Sequence, residues 1–464
     1  MEVTALFQIL GILIATVVLL IAAILIWLHL ERKKYDHVPG PPMESWLGNI
    51  SGMIKMREED KYFSEYILQN CQKYGGIFRM HFLHTTLIAV ADPDAVKELL
   101  ITGHYPKPKI YHKTFYSVAG QSYLKNMVPE INTCTDIFMS RLTDVSDGKS
   151  KIRMSTEFNH ITLDVLCKIG FGMEINSVSQ PDNPFTNAII KTFEGASYFQ
   201  TNPMEIWKYA REVRKVVQFL RNFGKKTIHE REEAVKRGDY IPDDILTLIM
   251  KYKEDDPDVD FEDLLDEFVT FFAAGQETTS QLLSFMMFTL GKNPESFKKL
   301  QAEIDDIIGN KSVISFEDIG KLKYLDMVIK ETLRLYPPVP GTSRIITKDL
   351  TIGGYKFPAG TNFLISSYAL HHNEKYFDNP SEFRPERFSD DAEERVNTYT
   401  YLPFVIGPRS CIGKHFAEIE AKIVMTKFMQ RFEFKLDKNQ SFGVVDAITV
   451  KPKDGAMCYL RVRA

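Results

Sequence analysis

Cysteine is scarce and scattered. Cys71, Cys134, Cys167, Cys411 and Cys458 are spread over 464 residues, odd in number and with no Cys-x-x-Cys pair. That argues against a disulfide framework or a structural zinc site and favours a reducing compartment. Neither charge sign dominates: 57 Lys and Arg stand against 61 Asp and Glu, a formal net charge of −4, so no general positive field is present to hold nucleic acid. Tryptophan occurs only at Trp27, Trp46 and Trp207. No internal repeat or low-complexity block interrupts the chain. With 44% hydrophobic and 25% charged residues, a disordered, collagen-like or polytopic membrane chain is excluded.

One long apolar run is present. Residues 3–28 carry no charge, and about 20 apolar residues suffice to cross a bilayer. The run ends at Trp27 without a small-residue cleavage site and is followed by Glu31, Arg32, Lys33 and Lys34, which favours a retained anchor over a signal peptide. Basic residues on the C-terminal flank place the bulk of the chain in the cytoplasm. His37-Val38-Pro39-Gly40-Pro41-Pro42 then stops the helix. The domain reading is therefore an anchor with its basic flank over 1–35, a stiff Pro-rich hinge over 36–48 and a catalytic domain over 49–464.

Strand-like runs over 77–82 and 86–90 predict a small early sheet, and Asp92-Pro93 opens a helix. From about residue 128 to 430 the apolar spacing is mostly helical, with helices expected over 161–169, 209–237, 264–290, 297–308 and 319–336. Strand signals return at Gly353-Gly354 and over 432–462. The fold class is mainly α with small β-sheets, an α+β chain carrying one N-terminal transmembrane helix. The adjacent His371 and His372 point in different directions with no third ligand nearby, so surface histidines are expected there.

Three segments carry chemistry. In Phe404-Val405-Ile406-Gly407-Pro408-Arg409-Ser410-Cys411-Ile412-Gly413 a lone cysteine follows a glycine turn and precedes an amphipathic helix expected from Ile412. A helix start favours thiolate over thiol, as an axial haem ligand requires. The other four cysteines read as small buried hydrophobes. In Glu331-Thr332-Leu333-Arg334 the three-residue spacing puts carboxylate and guanidinium on one helix face. In Ala273-Ala274-Gly275-Gln276-Glu277-Thr278-Thr279 a glycine, an acid and two hydroxyls stand at the centre of an apolar helix. There Gly275 and a Thr hydroxyl returning to a backbone carbonyl are expected to loosen the helix and open a pocket, with Glu277 as an acid next to Thr278.

The string F-x-x-G-x-R-x-C-x-G resembles the haem-binding signature of the cytochrome P-450 family, and the likeness spans most of the chain after the anchor. The resemblance implies the P-450 fold and a haem b (iron-protoporphyrin IX) cofactor ligated by Cys411, with Gly413 passing close beneath it and Phe404 packed near the thiolate. It implies that Arg344 and Arg409 pair with the haem propionates. It makes Glu331, Arg334 and the Arg387 of Pro385-Glu386-Arg387-Phe388 a folding and haem-retention network, and it assigns Thr278 and Glu277 to dioxygen handling and proton delivery. The implied activity is monooxygenation of an apolar substrate, using O2 and electrons from an NADPH-dependent reductase, at the endoplasmic reticulum membrane with the catalytic domain cytosolic. Residues 234–248, 268–280, 330–344 and 401–416 resemble family members that hydroxylate sterol side chains, so a sterol or other lipid is the expected substrate.

One family element is missing. Relatives carry a Trp-x-x-x-Arg helix in the first third that holds a propionate and helps receive the electron donor. Here Tyr116-Ser117-Val118-Ala119-Gly120 passes directly to Gln121-Ser122-Tyr123-Leu124. Trp207-Lys208-Tyr209-Ala210-Arg211 has the spacing but lies far too late. Two other functions stay open: a haem-thiolate enzyme that rearranges peroxides, against which the Glu277-Thr278 pair argues, and a haem-poor binding or decoy protein left by the missing helix.

Overall fold

Burial of the apolar periodicity organises this protein, seen in a computed structural model that describes residues 2–59, 62–103, 121–201, 206–255, 260–393, 395–447 and 449–463. Two compact units emerge, Met1–His104 with Gly341–Asp378, and Tyr105–Pro340 with Asn379–Ala464.

The first unit is built on a four-stranded sheet. β1 (Ile77–Phe82) pairs antiparallel with β2 (Thr85–Val90), β2 runs parallel to β7 (Asn362–Ser366), and β7 is antiparallel to β4 (Gly341–Ile345). The register sets Phe78 beside Ala89 and Ile88 beside Phe363, all fully buried. Between β4 and β7, β5 (Leu350–Ile352) and β6 (Tyr355–Phe357) form the hairpin expected at Gly353-Gly354, where both glycines take the positive φ such a turn needs. Asp92 caps the Pro93–Lys97 helix by accepting from the Asp94 and Ala95 amides, as Asp before Pro predicts.

The Pro-rich stretch after the anchor is packed rather than free. Pro39 accepts a 2.8 Å bond from the Arg79 amide, and the Asn49 and His81 backbones are joined at 2.8 Å. Gly40 lies so close to β1 that a Cβ would fall 2.3 Å from the Arg79 carbonyl oxygen.

The second unit is helical. Its central element, Phe261–Lys292, opens with a capping box between Asp260 and Asp263 and is buried without a break from Thr279 to Leu290. It packs on the Met154–Phe171, Lys323–Leu335 and Lys414–Arg431 helices, in a core that contains Phe158, Met286, Leu325, Val424 and Phe428. A second apolar cluster gathers Phe171, Phe185, Phe268 and Phe272. β3 (Ile152–Arg153), β11 (Met457–Val462) and β8 (Phe432–Leu436) form one small sheet, and β9 (Val444–Ala447) with β10 (Thr449–Pro452) another.

Two expectations change. The helix expected over 319–336 is two helices, Phe316–Lys321 and Lys323–Leu335, because the Glu303 carboxylate accepts from the Tyr324 and Leu325 amides and starts a new helix there. The histidine pair is not a surface pair: His371 is fully buried and His372 hydrogen-bonds the Tyr368 carbonyl. Residues 104–120, where the sequence departs from the family pattern, lie outside the described residues.

Candidate active site

The cysteine loop is held in a strained shape. Val405 has φ +59° and Gly407 φ +78°. A β-branched residue pays about 1–3 kcal/mol for the left-handed region that glycine enters freely. Bonds from the Cys411 amide to the Phe404 carbonyl (2.8 Å) and from the Ser410 amide to the Gly407 carbonyl (3.0 Å) close the loop. Phe404 packs on the main core and fixes its start. The following helix is Lys414–Arg431 with Gly413 as its N-cap, so Cys411 stands in the loop ahead of the helix rather than at the first turn expected from Ile412.

Cys411 is the one exposed cysteine. Burial pushes the thiol of Cys71 up to about 11 and those of Cys134 and Cys458 to about 12, which leaves them inert. A Cβ placed on Gly413 would meet only Cys411 Sγ, at 3.9 Å, so the space beside the thiol is open. Among the described residues no group of three His, Cys, Asp or Glu gathers to hold a metal. A single exposed thiol beside open space fits a macrocycle that brings its own equatorial ligands. Arg409 is exposed in the short Gly407–Arg409 turn, and Arg344 is buried on β4 of the first unit, where its guanidinium donates to the Thr342 hydroxyl and the Ser343 carbonyl.

The polar centre of the Phe261–Lys292 helix divides by face. The Thr278 hydroxyl donates to the Ala274 carbonyl at 2.8 Å and Thr279 to the Gly275 carbonyl at 3.1 Å. Glu277 is buried, and its Oε1 accepts from the Thr449 hydroxyl (3.1 Å) and the Gln281 amide (3.3 Å), with Lys451 Nζ at 3.9 Å. The acid is therefore turned towards β10, and the structure gives Glu277 and Thr278 different partners. Gly275 serves close packing: a Cβ there would lie 3.1 Å from a Leu166 methyl. Gln276 and Ser280 both donate to Asn159 Oδ1, which is a structural use of polarity in the same motif.

Glu331, Arg334 and Arg387 come together. Glu331 and Arg334 are fully buried and joined by two parallel 2.8 Å bonds. Arg387 Nε donates to Glu331 Oε1 at 3.3 Å, and the Arg384 amide reaches the same oxygen at 2.9 Å. Carbonyls of Pro380 and Glu382 take the remaining Arg334 donors, and that of Asn379 takes one from Arg387. Each nitrogen of the Arg334 guanidinium and two of the three of Arg387 have an acceptor, the kind of pairing that a buried ion network requires.

Comparison with known proteins gives the same answer. The family model for cytochrome P450 matches residues 38–124 and 109–458. The chain belongs to the cytochrome P450 family. Its relatives include cytochrome P450 4d2 of Drosophila melanogaster, 28% identical over 89% of this chain and 91% of the relative. They also include cytochrome P450 3A9 of Rattus norvegicus, 30% identical over 86% and 85%, and cytochrome P450 3A13 of Mus musculus, 31% identical over 85% of each. As a cytochrome P450 the chain is a haem-thiolate monooxygenase with an electron-donating partner. Its Phe7–Lys33 segment is long and apolar enough to anchor it in a membrane.

Sequence reasoning missed three participants. Thr449 and Lys451, which hold Glu277, lie 172 and 174 positions away, and only the folded β9–β10 hairpin brings them in. Glu420, on the helix after the cysteine, is fully buried, and neither carboxylate oxygen has a hydrogen-bond partner among the described residues. Its one sequence signal was an acid on an otherwise apolar helix face.

Proposed function

We propose that this cytochrome P450 resides in the endoplasmic reticulum membrane, catalytic domain cytosolic, and hydroxylates a sterol-sized apolar substrate with electrons from an NADPH-dependent reductase. The observation that carries the haem assignment is the exposed Cys411 thiol beside open space at Gly413. Cys411 would hold the iron, Arg409 and Arg344 the propionates, and Phe404 and Gly413 the faces of the ring edge nearest the thiolate. When bound, the haem supplies the redox centre for oxygen activation. The chain's residues supply the rest. Thr278 can rotate its hydroxyl away from Ala274, and Glu277 keeps a carboxylate oxygen within reach of Thr449 and of the half-exposed Lys451, a path for protons from water.

The sterol assignment rests on the likeness of residues 234–248, 268–280, 330–344 and 401–416 to cholesterol 24-hydroxylase. The relatives found by comparison bear 3A and 4d2 names at 28–31% identity, a distance at which a few pocket side chains reset selectivity. Reduced, carbon-monoxide-treated protein should show the thiolate-type band, and Cys411→Ser should abolish it; an unchanged band would refute the ligand. In the same preparation cholesterol should shift the haem spectrum ahead of short fatty acids. The reverse order would refute the sterol reading alone.

A second reading, a haem-poor chain, is favoured by one feature. The family model matches in two pieces that meet over 109–124. The alignment with the fly relative spans 465 positions yet uses 89% of this chain, so dozens of positions in it have no residue here.

A further inference from the structure

We propose that the cleft between the end of the Lys414–Arg431 helix and the Gln121–Val145 helix binds a phosphate monoester, with Lys427 and Arg431 holding its dianion. The cleft has a volume of about 590 Å³ and is walled on its other sides by residues 309–312 and by the end of β11. Four cations line it, Lys311, Lys427, Arg431 and Arg463, against the one carboxylate of Asp136, a local charge of +3 in a chain whose net charge is −4. Lys427 lies thirteen residues along its helix from Lys414, about 20 Å, so the cleft is separate from the cysteine loop.

Two of the four cations build the walls. Arg463 is spent on Asp305, at 2.9 and 3.0 Å, and on the Met429 carbonyl at 2.9 Å. Lys311 pairs with Asp318 at 2.7 Å. Gln430 donates to the Gly309 and Lys311 carbonyls at 2.7 and 3.1 Å and so fixes the loop wall. Three carbonyls that would repel an anion here thus already carry donors. The other two cations keep unused donors. Lys427 is only 4% exposed, and among the described residues its ammonium has one acceptor, Asp136 Oδ1 at 2.5 Å, for three N–H groups. Arg431 is exposed, and its Nε donates to the Thr143 hydroxyl at 2.9 Å, which sets the plane of the fork. Among the described residues neither of its terminal nitrogens has an acceptor.

Charge and size select the ligand. Lys427 and Arg431 stand four residues apart on one helix face, where like charges repel, and Asp136 neutralises only one of them. A phosphate monoester carries close to two negative charges at neutral pH and satisfies both. The guanidinium fork takes two phosphate oxygens side by side, and the ammonium takes the third. The Asp136 side chain is 59% exposed, so it can turn to water when the phosphate enters. Exposed hydroxyls of Ser140 and Ser312 stand at the rim to donate further bonds. The cleft is larger than a bare phosphate needs and falls within the roughly 300–1,000 Å³ of small-molecule sites. Met139 and Val462 give it an apolar side for the organic part of the ester.

The test titrates the full chain, in detergent micelles at neutral pH and constant ionic strength, with AMP and with glycerol phosphate as probes, read by calorimetry. A probe should bind at one site per chain, and inorganic phosphate should displace it, because the dianion is the group held. Arg431→Gln, a change at an exposed side chain, should weaken binding by about tenfold or more, and Lys427→Met likewise. Asp136→Asn should tighten binding several-fold, since it frees the ammonium and removes the one repelling charge; a purely structural Lys427–Asp136 pair gives no such gain. Saturable binding of neither probe at millimolar concentration, or binding unchanged in Arg431→Gln, overturns the site. A probe that phosphate cannot displace overturns the dianion as the group held, and Asp136→Asn without a gain overturns the part given to Lys427.

Discussion

Single buried charges differ sharply in how they are settled. Glu331 is bound by two guanidinium groups and a backbone amide, so truncating it strands the buried Arg334 and Arg387 without their carboxylate partner. Glu331→Ala should lower unfolding stability by about 3–5 kcal/mol, the usual cost of breaking a buried pair. A loss below about 1 kcal/mol in denaturant titration would show that the network is not integral to folding. Glu420 is the opposite case. Burial pushes its carboxyl well above the usual carboxylate range, so the folded state keeps the proton that the unfolded chain releases. Stability from this group is complete below the unfolded value and declines as pH rises towards the raised folded value. Glu420→Gln removes that decline. The variant should be more stable than the parent at neutral pH and equal to it near pH 4, as read by denaturant titration at the two pH values. A gap independent of pH would contradict the assignment.

At the scale of elements, the Phe261–Lys292 helix shows one motif doing two jobs. Gly275, Gln276 and Ser280 lock it to the neighbouring Met154–Phe171 helix through the Leu166 contact and the Asn159 bonds, while Thr278 keeps its hydroxyl on a half-buried face. Removing Thr278 should therefore leave packing intact and disturb only proton delivery. In Thr278→Ala, oxygen uptake should exceed product formation, with the balance appearing as hydrogen peroxide, by about tenfold or more if the hydroxyl acts in general acid catalysis. Unaltered coupling would place the proton path elsewhere.

For the whole molecule the decisive question is the Trp-x-x-x-Arg helix, which we propose the chain lacks. That lack would leave an anionic propionate short of a partner and uncover an apolar ring edge, and an unpaired buried charge costs several kcal/mol. Arg344 and Arg409 would then be partial substitutes. The chain as it stands should purify with low haem occupancy, and inserting the corresponding segment of a relative between Gly120 and Gln121 should raise it, read by the ratio of haem to protein absorbance. Full occupancy without the insertion would show that another part of the chain has taken over that role.

The sequence alone determined what depends on local pattern and fixed spacing. The apolar run over 3–28, β1, the Asp92 cap, the helix periods and the Cys411 string are all short-range, and each is dictated by side-chain period, capping chemistry or backbone sterics. Tertiary structure decided what depends on partners far away in the chain. Glu331 and Arg334 could have been an exposed i, i+3 pair until burial and Arg387 made them a network. Glu277 faces β10 because Thr449 and Lys451 return there. The 319–336 helix divides because Glu303 caps its second half. Arg32 left the basic flank because two carbonyls of the first unit were in reach. A hydrogen bond between residues a hundred positions apart has no local signature, since only the folded chain brings donor and acceptor within about 3 Å.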